Sequence, residues 1–343
     1  MERQYQMQEA DFYSLLKDGH IACHLCAHNC RIAEGKTGIC KVRVHQDHKL
    51  YSLDYGHLIA EHADPIEKKP LYHFLPGSQA YSIASPGCNF RCAWCQNWDI
   101  SQTCDLTSIE EIPLTTPENV VARALASGCE SIAYTYTEPT VFYEYCRDVG
   151  KIAKANGLKN VFVTNGYMQK EVVADMATWL DAANVDIKAF DDAVCKRYLG
   201  AHLQPILDTC EAMVRAGIWL EVTTLLVPGL NDDQTQLEGL AAFIAGNLGK
   251  VTPWHISKYF PNYQYDASAP TSMRSIQNAV AIGRKAGLKF IYVGNAGVDL
   301  PTRCPSCGEV LIERDGFRPR LNRVEQGHCP VCATKIPGVW SGE

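Results

Sequence analysis

Three cysteines, Cys88, Cys92 and Cys95, stand within the stretch Cys88-Asn89-Phe90-Arg91-Cys92-Ala93-Trp94-Cys95. Three thiols this close suit an iron–sulfur cluster, and a cubane cluster normally takes four thiolates. Three protein ligands leave one iron open, and an open position separates a reactive metal site from a closed structural one. A zinc loop with its fourth ligand elsewhere, such as Cys104, is the alternative that the thiols alone leave standing. Two other groups of thiols could hold metal. Cys304-Pro305-Ser306-Cys307-Gly308 and Cys329-Pro330-Val331-Cys332 make paired knuckles, a closed four-thiolate site for zinc or for a rubredoxin-like iron. Cys23, Cys26, Cys30 and Cys40, with His20, His24 and His28 nearby, form a third candidate. Zinc and an auxiliary cluster both accept four thiolates, so spacing does not decide between them or against an unfilled site.

The reactive loop needs a scaffold. Ala80-Tyr81-Ser82-Ile83-Ala84-Ser85 reads as a strand, and Pro86-Gly87 breaks it, so the thiols sit at its C-terminal end. From there strand-like runs at 80–85, 130–136, 159–164, 182–188, 218–227, 251–257 and 289–293 alternate with helical patterns at 117–127, 139–155, 169–180, 204–216, 231–247 and 271–286. Glycines close several helices, at Gly128, Gly157, Gly217 and Gly287. Repeated βα units without a dinucleotide fingerprint predict an α/β fold, a partial (β/α)6-type barrel with its chemistry at the C-terminal ends of the strands. Three regions are expected: a Cys-rich segment over 1–76, the barrel over 77–300, and a four-cysteine tail over 301–343. Within the first, 9–18 reads as an amphipathic helix, Lys41–Val44 and Lys49–Leu53 as a hairpin, and 54–79 as an irregular connection.

Composition bounds the function. The 343 residues are 46% apolar and 20% charged, with net charge −6. No basic run calls for nucleic acid or an anionic membrane. No apolar run approaches the ~20 residues of a membrane span. The N-terminus is polar rather than signal-like, so a soluble cytoplasmic protein is expected. There the 16 cysteines cannot be a disulfide framework. The five outside the clusters, Cys104, Cys129, Cys146, Cys195 and Cys210, read as small buried hydrophobes.

The CxxxCxxC loop after a first barrel strand resembles the radical S-adenosylmethionine (SAM) superfamily. Asp64 to Ser78 resembles the approach segment of enzymes related to pyruvate formate-lyase activase. Thr135-Tyr136-Thr137-Glu138-Pro139, Val163-Thr164-Asn165-Gly166-Tyr167 and Val185-Asp186-Ile187-Lys188 resemble that family's cofactor motifs at three successive strand ends. With the N-terminal and C-terminal cysteines added, nearly the whole chain is similar to the radical SAM enzyme of the AmmeMemoRadiSam system. The resemblance implies a [4Fe-4S] cluster on Cys88, Cys92 and Cys95 whose fourth iron is chelated by SAM. It implies reductive cleavage of SAM to methionine and a 5′-deoxyadenosyl radical, then hydrogen abstraction from a substrate. By position, Glu138 would accept from the amino group of SAM, Thr164 and Asn165 would hold its carboxylate or ribose, and Lys188, beside Asp186, would neutralise the carboxylate. Trp94 would lie near the adenine. The tyrosine and threonine before Glu138 replace a glycine pair common in that family, and Phe260 stands where the activase offers a histidine. Implied partners are a flavodoxin- or ferredoxin-type electron donor, and Memo-like and AMMECR-like proteins or another protein substrate.

Three functions remain in view: a radical SAM enzyme on an unidentified substrate, an activase of a glycyl-radical enzyme, and a non-catalytic metal scaffold or electron carrier. No residue is assigned as a second hydrogen donor. His255, ending a late strand, reads equally as a site residue or a core histidine.

Overall fold

The computed structural model of the chain describes residues 7–102, 109–265 and 269–341. Its centre is an eight-stranded sheet whose strands are β1 (Ala60–Pro65), β2 (Gln79–Ala84), β3 (Ser131–Tyr134), β4 (Lys159–Thr164), β5 (Ala182–Asp186), β6 (Trp219–Leu226), β7 (Trp254–Lys258) and β8 (Ile291–Gly294). They lie in sequence order across the sheet. β2 to β8 are parallel, and β1 runs antiparallel along β2. β1 and β8 are opposite edges, so the barrel is partial, as the βα rhythm predicts.

Helices Pro117–Ala126, Tyr143–Ala155, Lys170–Met176, Leu203–Arg215, Gln234–Phe243 and Met273–Lys285 cross between successive strands. Local chemistry sets several starts. Thr116 accepts from the Asn119 amide with Pro117 in the first turn, and Asp233 and Ser272 cap the last two helices in the same way. The parallel strands are buried on both faces, hence their near-continuous Val, Ile, Ala and Tyr content.

Four local expectations are corrected. Residues 9–18 form no helix: Tyr13–Leu15 is a strand paired antiparallel with Ile21–Cys23. Ten residues cannot offset the cost of nucleating an isolated helix, and Phe12, at φ 54°, turns the chain instead. The connection 54–79 is not irregular throughout, since it contains β1; polar Glu61, His62 and Asp64 are tolerated on an edge strand. Helix Asp192–Leu199 goes unread in the sequence, although Asp191 caps it by accepting from the Ala193 and Val194 amides. The long segment 139–155 begins as a 3-10 turn, Pro139–Phe142, before becoming α-helical. The hairpin stands, as Arg43–Gln46 against Lys49–Ser52.

The tail is a three-stranded antiparallel sheet (302–303, 310–315 and 318–322) with a small core of Leu311, Ile312, Ile336 and Trp340. It docks through buried Arg314, which donates to the Tyr72 carbonyl (2.8 Å) and to Thr302 Oγ1 (3.0 Å) with its guanidinium 4.1 Å from the Tyr72 ring centroid. His73 links barrel and tail, with Nδ1 on the Pro337 carbonyl (2.7 Å) and Nε2 on the Tyr292 hydroxyl (2.6 Å).

Candidate active site

A cavity of about 560 Å³ opens among the C-terminal ends of the parallel strands. Cys88, Cys92, Cys95 and Trp94 line it from the loop after β2, Glu138 from the loop after β3, Thr164 and Asn165 from the end of β4, and Asp186 and Lys188 from the end of β5. Residues spread over a hundred positions thus line one cavity. Gly87 makes the loop's start possible: at φ 99° it lies so close to the N-terminal segment that a Cβ would stand 2.7 Å from Val42 Cγ1.

Glu138 is fully buried. Its Oε1 accepts from Thr140 N (3.1 Å), Thr140 Oγ1 (2.5 Å) and Thr164 Oγ1 (2.6 Å), and its Oε2 from Asn165 N (2.8 Å). Burial raises its pKa, and the bonds from Asn165, Thr140 and Thr164 oppose that rise. Oε2 keeps one lone pair for a further donor. The Asn165 side chain is committed within the protein: Nδ2 donates to Asn89 Oδ1 (2.7 Å), and Oδ1 accepts from Tyr167 N (3.0 Å).

Lys188 Nζ donates to Asp186 Oδ2 at 2.7 Å. Burial opposes the lysine's charge, but Asp186 and the Cys92 and Cys95 thiols reverse this and raise its pKa. Burial pushes the Cys92 thiol up to about 12 and Cys88 well above the usual thiol range. Metal loading must therefore displace bound protons. Trp94 is buried between Tyr198 and Tyr265, ring centroids 6.3 and 6.2 Å away.

Lys69, Tyr136 and Asn97 also line the cavity. Lys69, 1% exposed, donates to Asp64 Oδ2 (2.7 Å), and the Tyr136 hydroxyl donates to the same oxygen. Lys68 takes Oδ1 (2.8 Å). Burial lowers Lys69 to about 8 against the pull of Asp64. Asp64 itself, although burial disfavours its charge, is held well below the usual carboxylate range by Lys68, Lys69 and Tyr136. A Lys-Lys pair in sequence reads as a solvated surface, so only the fold turns Lys69 inward.

His255 belongs to the core. Its Nε2 meets Glu221 Oε2 at 2.6 Å, and Glu221 also accepts from the Tyr72 and His73 amides. Phe260 is half exposed beneath Lys258. Cys129, Cys146, Cys195 and Cys210 are buried apart from the cavity. Cys104 lies outside the described residues.

The C-terminal thiols converge separately. Cys304, Cys307, Cys329 and Cys332 have all four sulfurs within 4.8 Å of one another, with Cys304–Cys332 at 3.5 Å and Cys307–Cys329 at 3.7 Å. A tetrahedron with Zn–S bonds of about 2.3 Å has sulfur–sulfur edges of about 3.8 Å.

Residues 82–238 match the Radical SAM superfamily. An uncharacterized protein of Methanocaldococcus jannaschii is 42% identical over 341 residues, which is 96% of this chain and 99% of the relative. The chain belongs to the radical SAM superfamily. It is a radical SAM enzyme, and that superfamily's chemistry uses a [4Fe-4S] cluster and SAM. The benzylsuccinate synthase activating enzyme of Thauera aromatica is 24% identical over 116 residues, 34% of this chain and 35% of that enzyme. The fold is shared with a radical SAM methyltransferase from Sphaerobacter thermophilus: TM-score 0.50, 17% identity, 65% of this chain and 68% of that one. The residues fit the superfamily's cofactors: three thiols that do not crowd onto a single point line a cavity large enough for a nucleoside-sized ligand. Among the described residues no helix is long and apolar enough to cross a membrane.

Proposed function

We propose that this radical SAM enzyme works as the radical-generating member of the AmmeMemoRadiSam system, on a protein or small metabolite associated with Memo-like and AMMECR-like proteins, with electrons from a flavodoxin- or ferredoxin-type donor. The observation that carries the radical-generating role is the single cavity lined by Cys88, Cys92, Cys95, Glu138, Asn165 and Lys188. When bound, the cluster and SAM together supply reductive cleavage of the sulfonium to a 5′-deoxyadenosyl radical that takes a hydrogen atom from substrate.

The chain's residues bind and orient. The free lone pair of Glu138 Oε2 accepts from the amino group of SAM, a charge-assisted contact. Lys188 meets the SAM carboxylate and offsets thiolate charge. Thr164 holds the Glu138 carboxylate in place. Asn165, spoken for on both ends of its amide, positions the cysteine loop rather than the ligand. Trp94 offers its ring to the adenine. The tail site carries zinc, in keeping with its sulfur–sulfur spacing.

The test is anaerobic reconstitution with iron and sulfide, reduction with SAM present, and chromatography for 5′-deoxyadenosine. Wild type yields it, and Cys92→Ala does not; equal trace amounts from both would sink the proposal. A second reading, activation of a glycyl-radical enzyme, draws on the partial likeness to the Thauera aromatica activating enzyme. It predicts a glycyl radical, seen by electron paramagnetic resonance, in a co-expressed partner.

A further inference from the structure

Cys23, Cys26, Cys30 and Cys40 take no part in the cavity described above. They line a second, small cavity of about 10 Å³ between the N-terminal segment and the cysteine loop. Their arrangement differs from that of the tail thiols. The tail sulfurs crowd to the edge length of a one-ion tetrahedron. No three of the N-terminal sulfurs come within 4.8 Å of one another, and neither do those of Cys88, Cys92 and Cys95. Thiolates that share one ion crowd together. Thiolates that each take a different iron of a cubane stand farther apart.

The walls carry a second sign. Arg43 and Asn89 both line this cavity and are each 1% exposed. Arg43 Nη2 is paired with Glu144, and Nε reaches the Val141 carbonyl (3.4 Å), but Nη1 has no hydrogen-bond partner among the described residues. Asn89 uses Oδ1 to accept from Asn165, which leaves its Nδ2 for the Cys26 thiol, a contact too long or too bent to count as a formed hydrogen bond. Buried donors are rarely left so. Thiolate and sulfide sulfurs are acceptors, and hydrogen bonds to them tune a cluster's potential. A guanidinium in the wall also offsets the charge of four thiolates.

We infer that Cys23, Cys26, Cys30 and Cys40 hold a second iron–sulfur cluster, closed by four thiolates and with Arg43 and Asn89 as donors to its sulfurs. The two sites share a wall. Asn89 lies between Cys88 and Cys92 in the chain, and a Cβ added at Gly87 would stand 3.1 Å from the Cys40 carbonyl oxygen. This inference is independent of the reaction proposed above.

Iron and acid-labile sulfide are counted on the reconstituted full chain in wild type, in Cys88→Ala/Cys92→Ala/Cys95→Ala and in Cys26→Ala/Cys30→Ala. With two cubanes, wild type carries about eight sulfides and each variant about four. The reduced loop variant then gives a paramagnetic cluster signal that SAM leaves unchanged, since no iron is open. About four sulfides in wild type and none in the loop variant, with zinc at about two per chain, overturn the inference. Four sulfides that survive in the loop variant but vanish in the other uphold it while counting against the radical-generating site. Should a variant fail to fold by circular dichroism, the wild-type count of eight or four decides.

Discussion

Asn165 donates from its side-chain amide to the Asn89 side-chain oxygen at 2.7 Å, and so ties the end of the fourth sheet strand to the middle of the cysteine loop. The same Asn165 offers its backbone amide to Glu138. One residue thereby sets the distance between the thiols and the buried carboxylate. Asn165→Ala strands Asn89 Oδ1 without its donor in a buried place. The expected loss is about 1–3 kcal/mol, read as a lowered denaturant midpoint, with weaker SAM binding by calorimetry.

Gly87 permits close contact in a backbone region that side chains rarely adopt. At φ 99°, with Val42 Cγ1 2.7 Å from a built Cβ, Gly87→Ala suffers both strain and collision. We expect a loss of about 2 kcal/mol or more and poor iron retention. Adding Val42→Ala removes the contact with Val42 but neither the φ nor the approach to the Cys40 carbonyl oxygen at 3.1 Å, so the double variant recovers only part of the midpoint.

Asp64 and Lys69 form a buried pair, and removing Lys69 takes one of three donors from Asp64, leaving Lys68 and the Tyr136 hydroxyl. Lys69→Met destabilises by about 1–3 kcal/mol. Lys69→Met/Asp64→Asn is less destabilised than the sum of the single variants, which a double-mutant cycle by urea unfolding measures.

Asp54 supplies a pH test. Burial raises its carboxyl from 3.8 to about 7, against the lowering pull of Ser52 and Arg43; Glu144 adds to the rise. The folded chain holds a proton that the unfolded chain has released across this window. This contribution to stability is full below the unfolded value, declines as pH rises through the window, and is gone above about 7. Asp54→Asn removes the titration. Relative to wild type it gains about 2–4 kcal/mol between pH 4 and pH 8, as urea midpoints at several pH values will show.

The tail's four thiols predict a metal-dependent fold. Cys307→Ser loses about one metal ion per chain by elemental analysis. Limited proteolysis then cuts between Arg323 and Lys335, where wild type resists.

Much of this protein was readable before its structure. Strand-like runs alternating with amphipathic helices, closed by glycines such as Gly157 at φ 79°, carry the partial barrel because burial on both faces imposes a local pattern. The edge strand Ala60–Pro65 escaped because its Glu61, His62 and Asp64 break the apolar pattern of a strand, and Asp64 is buried only where Lys69 and Tyr136 meet it. The short strand at Tyr13 escaped because three residues carry no period.

Proximity of the thiols was a matter of sequence: spacings of four and three keep Cys88, Cys92 and Cys95 close in space on any loop. The partners of those thiols were decided in three dimensions. Lys69 points inward because Asp64 and Tyr136 await it, Asn165 turns to Asn89 rather than to open space, and His255 is consumed by Glu221. Spacing along a chain determines which atoms can be neighbours within a few residues. Whether a polar side chain serves a ligand or another side chain depends on groups a hundred residues away, and only packing brings those together.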